Sequence, residues 1–172
     1  MTLSSTVRVR LAASQTGSND FGGPEFSPEM ETAINLQNGT GAGQADLLYV
    51  DERSVAASSN DDIDLNGVLA QAIGGTFNAV ELVALIVINA PKSGVANLSS
   101  LTVGGATNPF IGFLGGTAPT IGPIGPGGHL SIGAPGATGI GTVTPATADQ
   151  LRIANGAGGT AVYQIAILGR TA

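Results

Sequence analysis

Apolar and polar residues alternate in many short runs of the chain, and this pattern predicts β-strands. In DDIDLNG, Ile63 and Leu65 alternate with Asp62 and Asp64, as in a strand that buries one face. The run ELVALIVINAP at 81–91 is apolar throughout, which is typical of a strand buried on both faces. These runs predict a chain built from strands.

Further strand-like runs follow at short intervals and are bounded by glycine, proline and asparagine: ETAINLQ, NLSSLTVGG, HLSIGAP, GIGTVTP and DQLRIAN. Short strands at roughly 8–12-residue spacing are typical of a sandwich or a barrel. Only VLAQAIGG at 68–75 has a pattern that suits one or two helical turns. We therefore predict an all-β fold, with an antiparallel β-sandwich over residues 31–172.

The chain ends on two alternating runs that flank the loop NGAGG at 155–159. Glycine and asparagine tolerate the positive φ angles that tight or bulged turns require. Residues 149–168 are therefore predicted to form an antiparallel hairpin that closes a sheet.

The first 30 residues have a different character. Residues 16–30, TGSNDFGGPEFSPEM, mix glycine, proline, serine and asparagine without a sustained period. We interpret residues 1–30 as an irregular N-terminal arm. Either Phe21 and Phe26 dock onto a neighbouring molecule, or the segment is a flexible terminus. Arg8 and Arg10 fall on one face of an extended segment, suited either to pairing with carboxylates of a partner or to a solvated strand edge.

Composition narrows the classes of function. Charged residues make up only 10% of the chain, against roughly 25% in ordinary soluble proteins. Weakly charged surfaces tend to be covered by a partner or by copies of the same chain. The net charge of −6 argues against a nucleic-acid partner, because phosphate binding needs an excess of lysine and arginine.

The absence of cysteine excludes disulfides and thiolate metal sites. The first residues lack the apolar core of a signal peptide, and 81–90 is too short to span a bilayer. We expect a protein made in the cytoplasm with no membrane partner, so that the sequons at Asn38 and Asn97 are chance matches.

Two motifs resemble ligand sites without completing them. Asp62–Gly67 matches the start of a calcium loop, but the twelfth position, where a bidentate glutamate belongs, is Ile73. GAGGTA at 156–161 has part of a dinucleotide fingerprint, but a strand pattern follows where that motif needs a helix. We expect no metal and no cofactor.

Catalytic chemistry has little support in the sequence. His129 has Ser131 near it but no orienting carboxylate close in sequence and no G-x-S-x-G frame. Four acids, Asp46, Asp51, Glu52 and Glu81, are candidates for a glycosidase pair, yet aromatic residues that would stack on sugars make up only 4% of the chain. We expect no catalytic residues and no enzyme activity.

The second half of the chain resembles small virion proteins of tailed bacteriophages. The resemblance covers roughly residues 45–170 and is carried by ELVALIVINAP with LTVGGATNPF, and most strongly by a series of segments in the last fifty residues: Pro126–Gly128, Leu130–Ile132, Ala134–Gly139, Val143–Thr144, Asp149–Asn155 and Tyr163–Gly169. It implies a sandwich of the jelly-roll type.

The resemblance also implies a structural role in the virion. A decoration or cement protein on the capsid exterior would bind the major capsid protein, bridge its subunits and stabilise the head. Such a protein is expected to form trimers or dimers at capsid symmetry positions. The alternative is a head or tail fibre, or a receptor-binding module, that recognises the host surface. The residues expected at interfaces are Arg8, Arg10, Phe21 and Phe26 in the arm, and Phe110 and Phe113 in the glycine-rich stretch.

Overall fold

The computed structural model describes residues 2–18, 20–71 and 74–172, and within them the regular structure consists of strands without a helix. These strands are β1 (Ser5–Ala12), β2 (Gln15–Thr16), β3 (Glu25–Phe26), β4 (Glu29–Leu36), β5 (Leu47–Val55), β6 (Asn60–Asp64), β7 (Asn66–Ala70), β8 (Thr76–Asn78), β9 (Glu81–Ile88), β10 (Leu101–Gly104), β11 (Thr120–Ile124), β12 (His129–Gly133), β13 (Gly141–Thr142), β14 (Gln150–Asn155) and β15 (Ala161–Arg170).

Two antiparallel sheets form the body of the protein. One has the strand order β11-β10-β14-β6, and the other has the order β12-β9-β15-β5 with β13 paired to β9. The core between them is continuous and almost wholly aliphatic, with Phe77, Phe110, Tyr49 and Tyr163 as its aromatic members. The predicted all-β fold and β-sandwich are confirmed.

Side-chain alternation explains which faces are buried. Ile63 and Leu65 are buried beneath the four-stranded sheet, while Asp62 is exposed, as predicted. In β9, Leu85 and Val87 enter the core, and Val83 contributes to a second buried cluster on the opposite face of the sheet. The run 81–91 was therefore predicted correctly as a strand buried on both faces.

A long β-hairpin, residues 5–36, precedes the sandwich, and we call it the hairpin arm. β1 pairs with β4 from Ser5↔Leu36 to Ala12↔Glu29. The same register continues toward the tip, where Ala13 N–H donates to the Pro28 carbonyl (3.1 Å) and Gln15 pairs with Phe26. At roughly 3.3 Å per residue, each leg of the arm is about 40 Å long.

The arm differs from the irregular segment predicted for residues 1–30. VRVRLA alternates strictly and pairs with the alternating residues of β4, so both segments are strands. The glycines and prolines that suggested irregular structure lie near the turn at the tip, and Pro28 lacks the N–H that a regular ladder would use. The boundary placed between residues 30 and 31 falls inside β4, and the arm extends to Leu36.

The predicted hairpin over 149–168 is wrong. β14 pairs with β10 and β6 in one sheet, whereas β15 pairs with β5 and β9 in the other. The loop between them therefore crosses the sandwich rather than closing a two-stranded turn. Alternation identified both strands correctly but carries no information on which strands they pair with.

Residues 68–75 were the candidate helical turns. Val68 to Ala70 belong instead to β7, which forms a small hairpin with β8. The rest of that run includes Ala72 and Ile73, which lie outside the described residues, so the twelfth position of the calcium-like loop does too.

Candidate interaction surface

The two faces of the hairpin arm have opposite chemical character. Residues directly opposite each other in an antiparallel pair share a face. The pairs Val7↔Ile34, Val9↔Thr32 and Leu11↔Met30 make one face apolar. The pairs between them, Arg8↔Ala33, Arg10↔Glu31 and Ala12↔Glu29, make the other face largely charged.

The base of the arm is docked on the sandwich through its apolar face. Val7 and Leu36 are buried, with Ile34 packed beside them, on the outer face of the five-stranded sheet. Their partners in that sheet include Val83 and Leu168. This docked base fixes where the arm leaves the body.

Beyond the base, the same apolar face is uncovered. We call residues 9–32 the projecting part. Val9 is 50% exposed, Leu11 54% and Met30 68%, and Phe26 in the continuing register is 66% exposed. Exposed apolar side chains that are neighbours on one face mark a surface that a partner covers.

The charged face is paired within the arm. Arg8 Nε lies 3.1 Å from a carboxylate oxygen of Glu31, and Arg10 Nε lies 2.8 Å from Glu29. All four side chains are at least 36% exposed, so these pairs contribute little to stability by themselves. β1 is thus a basic strand and β4 an acidic strand.

An apolar groove of about 170 Å³ lies where the arm meets the sheet, and it is lined by Ser5, Thr6, Val7, Leu48, Ala84, Ile86, Ala166 and Leu168. The next row of the sheet, Val50–Ala166–Ile86, continues the apolar surface, with Val50 55% exposed. Apolar surface therefore extends from the arm onto the sheet.

Four of the six predicted interface residues lie on the arm. Arg8 and Arg10 are in β1, Phe26 is in β3, and Phe21 is fully exposed in the turn that joins β2 to β3. Their assignment to an interface stays a prediction, and the sequence-based prediction did not include Val9, Leu11 and Met30. The signal that was available is the alternation of VRVRLA, in which the apolar residues Val7, Val9 and Leu11 flank the two arginines.

The other two predicted interface residues are not surface anchors. Phe110 is 1% exposed and belongs to the main core, so its assignment to an interface is wrong. Phe113 is partly buried and packs against the core, with its ring centroid 6.2 Å from that of Phe110. Gly112 and Gly141 provide the space, since a Cβ on Gly112 would lie 2.4 Å from the Phe110 ring.

The motifs considered for ligand binding have other surroundings in the structure. Asp62 is bound by Arg152 (Nε–Oδ1, 2.6 Å), and Asp64 accepts from the Asn66 N–H (2.9 Å). The segment after GAGGTA is strand β15, and His129 begins strand β12 with its side chain exposed. Among the described residues, no cluster of three or more histidine, aspartate or glutamate side chains is placed to hold a metal ion.

A half-buried polar network closes the sandwich edge between β5 and β6. Arg53 donates to both carboxylate oxygens of Asp61, each at 2.7 Å, and Tyr163 Oη–H donates to Asp61 at 2.7 Å. Burial raises the pKa of Tyr163, and the hydrogen bond to Asp61 raises it further. Burial by itself would raise the pKa of Asp61, but the donors Arg53 and Tyr163 outweigh it, so the pKa lies below its usual value.

Replacing Asp61 tests this network through its pH dependence. Because the folded pKa of Asp61 lies below the unfolded value of about 4, the network stabilises the fold above that pH and loses its contribution as the pH falls through the folded value. We expect Asp61→Asn to lower the free energy of unfolding by about 1–2 kcal/mol at neutral pH.

Urea unfolding of both proteins at a series of pH values measures this effect. The difference between them should begin to shrink below about pH 4, where Asp61 of the unfolded chain becomes protonated, and it should be lost once the pH falls below the lower pKa of folded Asp61. Asp51→Asn is the control, because Asp51 is 43% exposed, accepts from Tyr49 Oη–H (2.8 Å) and lies 3.5 Å from Arg53 Nη1, farther than Asp61 does. A difference between Asp61→Asn and wild type that stays constant into acid would contradict the assignment.

Comparison with models of protein families, with curated protein sequences and with solved structures found no significant match. Within the described residues, no helix has the length and the apolar character needed to cross a membrane.

Proposed function

We propose that this chain is a structural virion protein that decorates the outside of a bacteriophage capsid. It binds the major capsid protein, bridges neighbouring subunits and stabilises the assembled head. The observation that carries the proposal is the hairpin arm, whose apolar face is buried at the base and uncovered over the projecting part. A rigid body with a long adhesive extension suits a protein that spans the junction between two subunits.

The proposed role agrees with general physical requirements. A protein that binds only the assembled shell stabilises it by mass action, and symmetry repeats each weak contact many times. The low charge of the chain and its aliphatic sandwich core suit a rigid adhesive module. The resemblance of residues 45–170 to virion proteins points to the same role.

We infer the jelly-roll arrangement for the sandwich. The strand orders β5-β15-β9-β12 and β6-β14-β10-β11 support it. If only the eight strands in these two orders are numbered along the chain, the orders become 1-8-3-6 and 2-7-4-5. First and last strands are then neighbours in one sheet, and the second and the seventh are neighbours in the other, as in two wrapped Greek keys.

The test uses virus particles produced with and without the gene for this chain. Quantitative mass spectrometry should find the chain in fixed, near-stoichiometric proportion to the major capsid protein. Heads that lack it should release their DNA at a lower temperature, and adding purified chain should restore the wild-type temperature. A few copies per particle would instead identify a fibre or receptor-binding module.

A shortened arm provides the matched control. Replacing residues 9–32 by Asn-Gly joins Arg8 to Ala33, which are already cross-strand neighbours, through a two-residue turn. The docked base with Val7 and Leu36 is kept, so the free energy of unfolding should lie within about 1 kcal/mol of the wild-type value. We expect this variant to lose binding to heads, and undiminished binding would overturn the role given to the arm.

A further inference from the structure

None of the described strands lies beside either long edge of the projecting part. β1 and β4 pair only with each other among the described residues and form a two-stranded sheet. Unpaired N–H and C=O groups along such an edge are a template for strand addition by another chain. The charges on the two edges indicate which strand would add.

The two edges carry opposite charge. Arg8 and Arg10 belong to β1, and Glu29 and Glu31 belong to β4. If β1 met β1 of a second copy, arginines would become neighbours, and if β4 met β4, glutamates would. Like charges on adjacent strands destabilise a sheet, whereas opposite charges stabilise it. The combination that charge favours is therefore β4 of one copy beside β1 of the next.

We propose that copies of this chain associate through head-to-tail pairing of their arms, β4 to β1, and close into a ring. A contact between two different edges is heterologous, so it propagates until a rotation closes it. Because β1 and β4 are antiparallel within the arm, β4 and the next β1 are antiparallel as well. At the register of the arm itself, Glu31 lies beside Arg10 of the next copy.

The ring also covers the apolar face. Two-stranded ribbons twist strongly, so this face rotates away from the sandwich toward the tip. Three or four arms supply six or eight strands, enough to enclose a small barrel filled by Val9, Leu11, Thr32 and Met30. The ion pairs within the arm use the Nε atoms of Arg8 and Arg10, and each guanidinium has further N–H donors for a carboxylate of the neighbour.

This inference deepens the proposed function, and its setting in the capsid rests on that proposal. The contact between arms, however, is tested on the purified chain alone. Light scattering with size-exclusion chromatography should give three or four times the chain mass of 16.9 kDa. The shortened arm described above should give a monomer. A wild-type monomer at micromolar concentration, or a dimer, would overturn the ring and leave the capsid test unaffected.

A charge-swapped variant, R8E/R10E/E29R/E31R, tests the head-to-tail order. Within the arm, every arginine–glutamate pair is kept, with the arginines now in β4 and the glutamates in β1. The variant should therefore fold and form rings with copies of itself. Mixed with wild type, it would place arginine beside arginine or glutamate beside glutamate at each mixed contact.

We therefore expect native mass spectrometry of refolded mixtures to show pure rings of each kind and few mixed ones. Preferential mixing would show that identical edges meet, and random mixing would show that the edge charges face no partner. Either result would overturn the head-to-tail contact. Added salt should weaken the sorting, because it screens exposed charges.

Discussion

Arg170→Met should lower the free energy of unfolding by about 3–5 kcal/mol, since it leaves one partner of a buried ion pair unmatched. The Arg170 side chain is 0% exposed and lies at the end of β15, beside the outer rim of the sandwich. Its Nη1 contacts Glu81 at 3.0 Å, and Glu81 is itself 18% exposed. The substitution keeps much of the volume but removes the positive charge and every donor.

The loss extends beyond the ion pair. The guanidinium donates to the carbonyls of Gln44 (2.9 Å), Gly136 (2.9 Å) and Ala137 (2.9 Å), and thereby holds two loops against the strand. In Arg170→Met, these carbonyls and the Glu81 carboxylate lose their hydrogen-bond donor while they remain partly buried. This loss costs about 1–3 kcal/mol for each group that water does not reach. Arg170→Lys keeps the charge but not the planar fork, so its effect should be intermediate.

Arg152→Met is the control for Arg170→Met. Arg152 also pairs with a carboxylate, that of Asp62, but the pair is 21% and 36% exposed. An ion pair that retains water contributes about 1 kcal/mol or less. Urea unfolding measures the stability of all three variants. Equal losses of unfolding free energy for Arg170→Met and Arg152→Met would show that burial of Arg170 does not increase its contribution to stability.

The sandwich could be predicted from sequence because its strands bury one face or both, and burial leaves a period of two. Ile63 and Leu65 show the first case, and the run 81–91 shows the second. The identity of the strands that pair with each other leaves no such signal in the sequence. The strands β14 and β15 were predicted correctly but assigned to one hairpin, because a glycine-rich loop looks the same whether it returns within a sheet or crosses to the other.

Burial that depends on distant segments of the chain could not be predicted from the local sequence either. Phe110 was assigned to the surface since its neighbours are glycine and proline, yet Gly112 and Gly141 are what make room for its ring in the core. Arg170 follows an apolar strand and looks like an exposed end in the sequence. Only the folded loops at residues 44 and 135–137 reveal that its donors are all used.

Asn155→Ala should cost about 3 kcal/mol, through loss of a buried amide that joins three segments at one end of the sandwich. The side chain is 6% exposed. Its Nδ2 donates to the carbonyls of Val55 (3.0 Å) and Gly159 (2.7 Å), and its Oδ1 accepts from Ser99 Oγ–H (2.5 Å). These partners lie at the end of β5, in the crossing loop before β15 and ahead of β10.

The network around Asn155 makes the loss cooperative. Asn97 and Asn89 form a second buried amide pair nearby, with Nδ2 of Asn97 donating to Oδ1 of Asn89 at 2.7 Å. Asn97 also accepts from the Val162 N–H (2.9 Å), so it ties the loop before β10 to β15. Since buried polar networks are costly when only partly satisfied, Asn155→Ala leaves several groups without partners at once.

Asn155→Asp separates the donor role from the acceptor role. A carboxylate still accepts from Ser99, but it places negative charge against the carbonyls of Val55 and Gly159, where the amide donated. At neutral pH it should therefore be less stable than Asn155→Ala, because an unpaired buried charge costs more than an absent group. Asn35→Ala on the arm is the control, since Asn35 is exposed and bonds only Thr6 among the contacts described (3.0 Å). Chemical unfolding that ranks Asn155→Asp above Asn155→Ala in stability would show that the donated bonds are not what holds the three segments together.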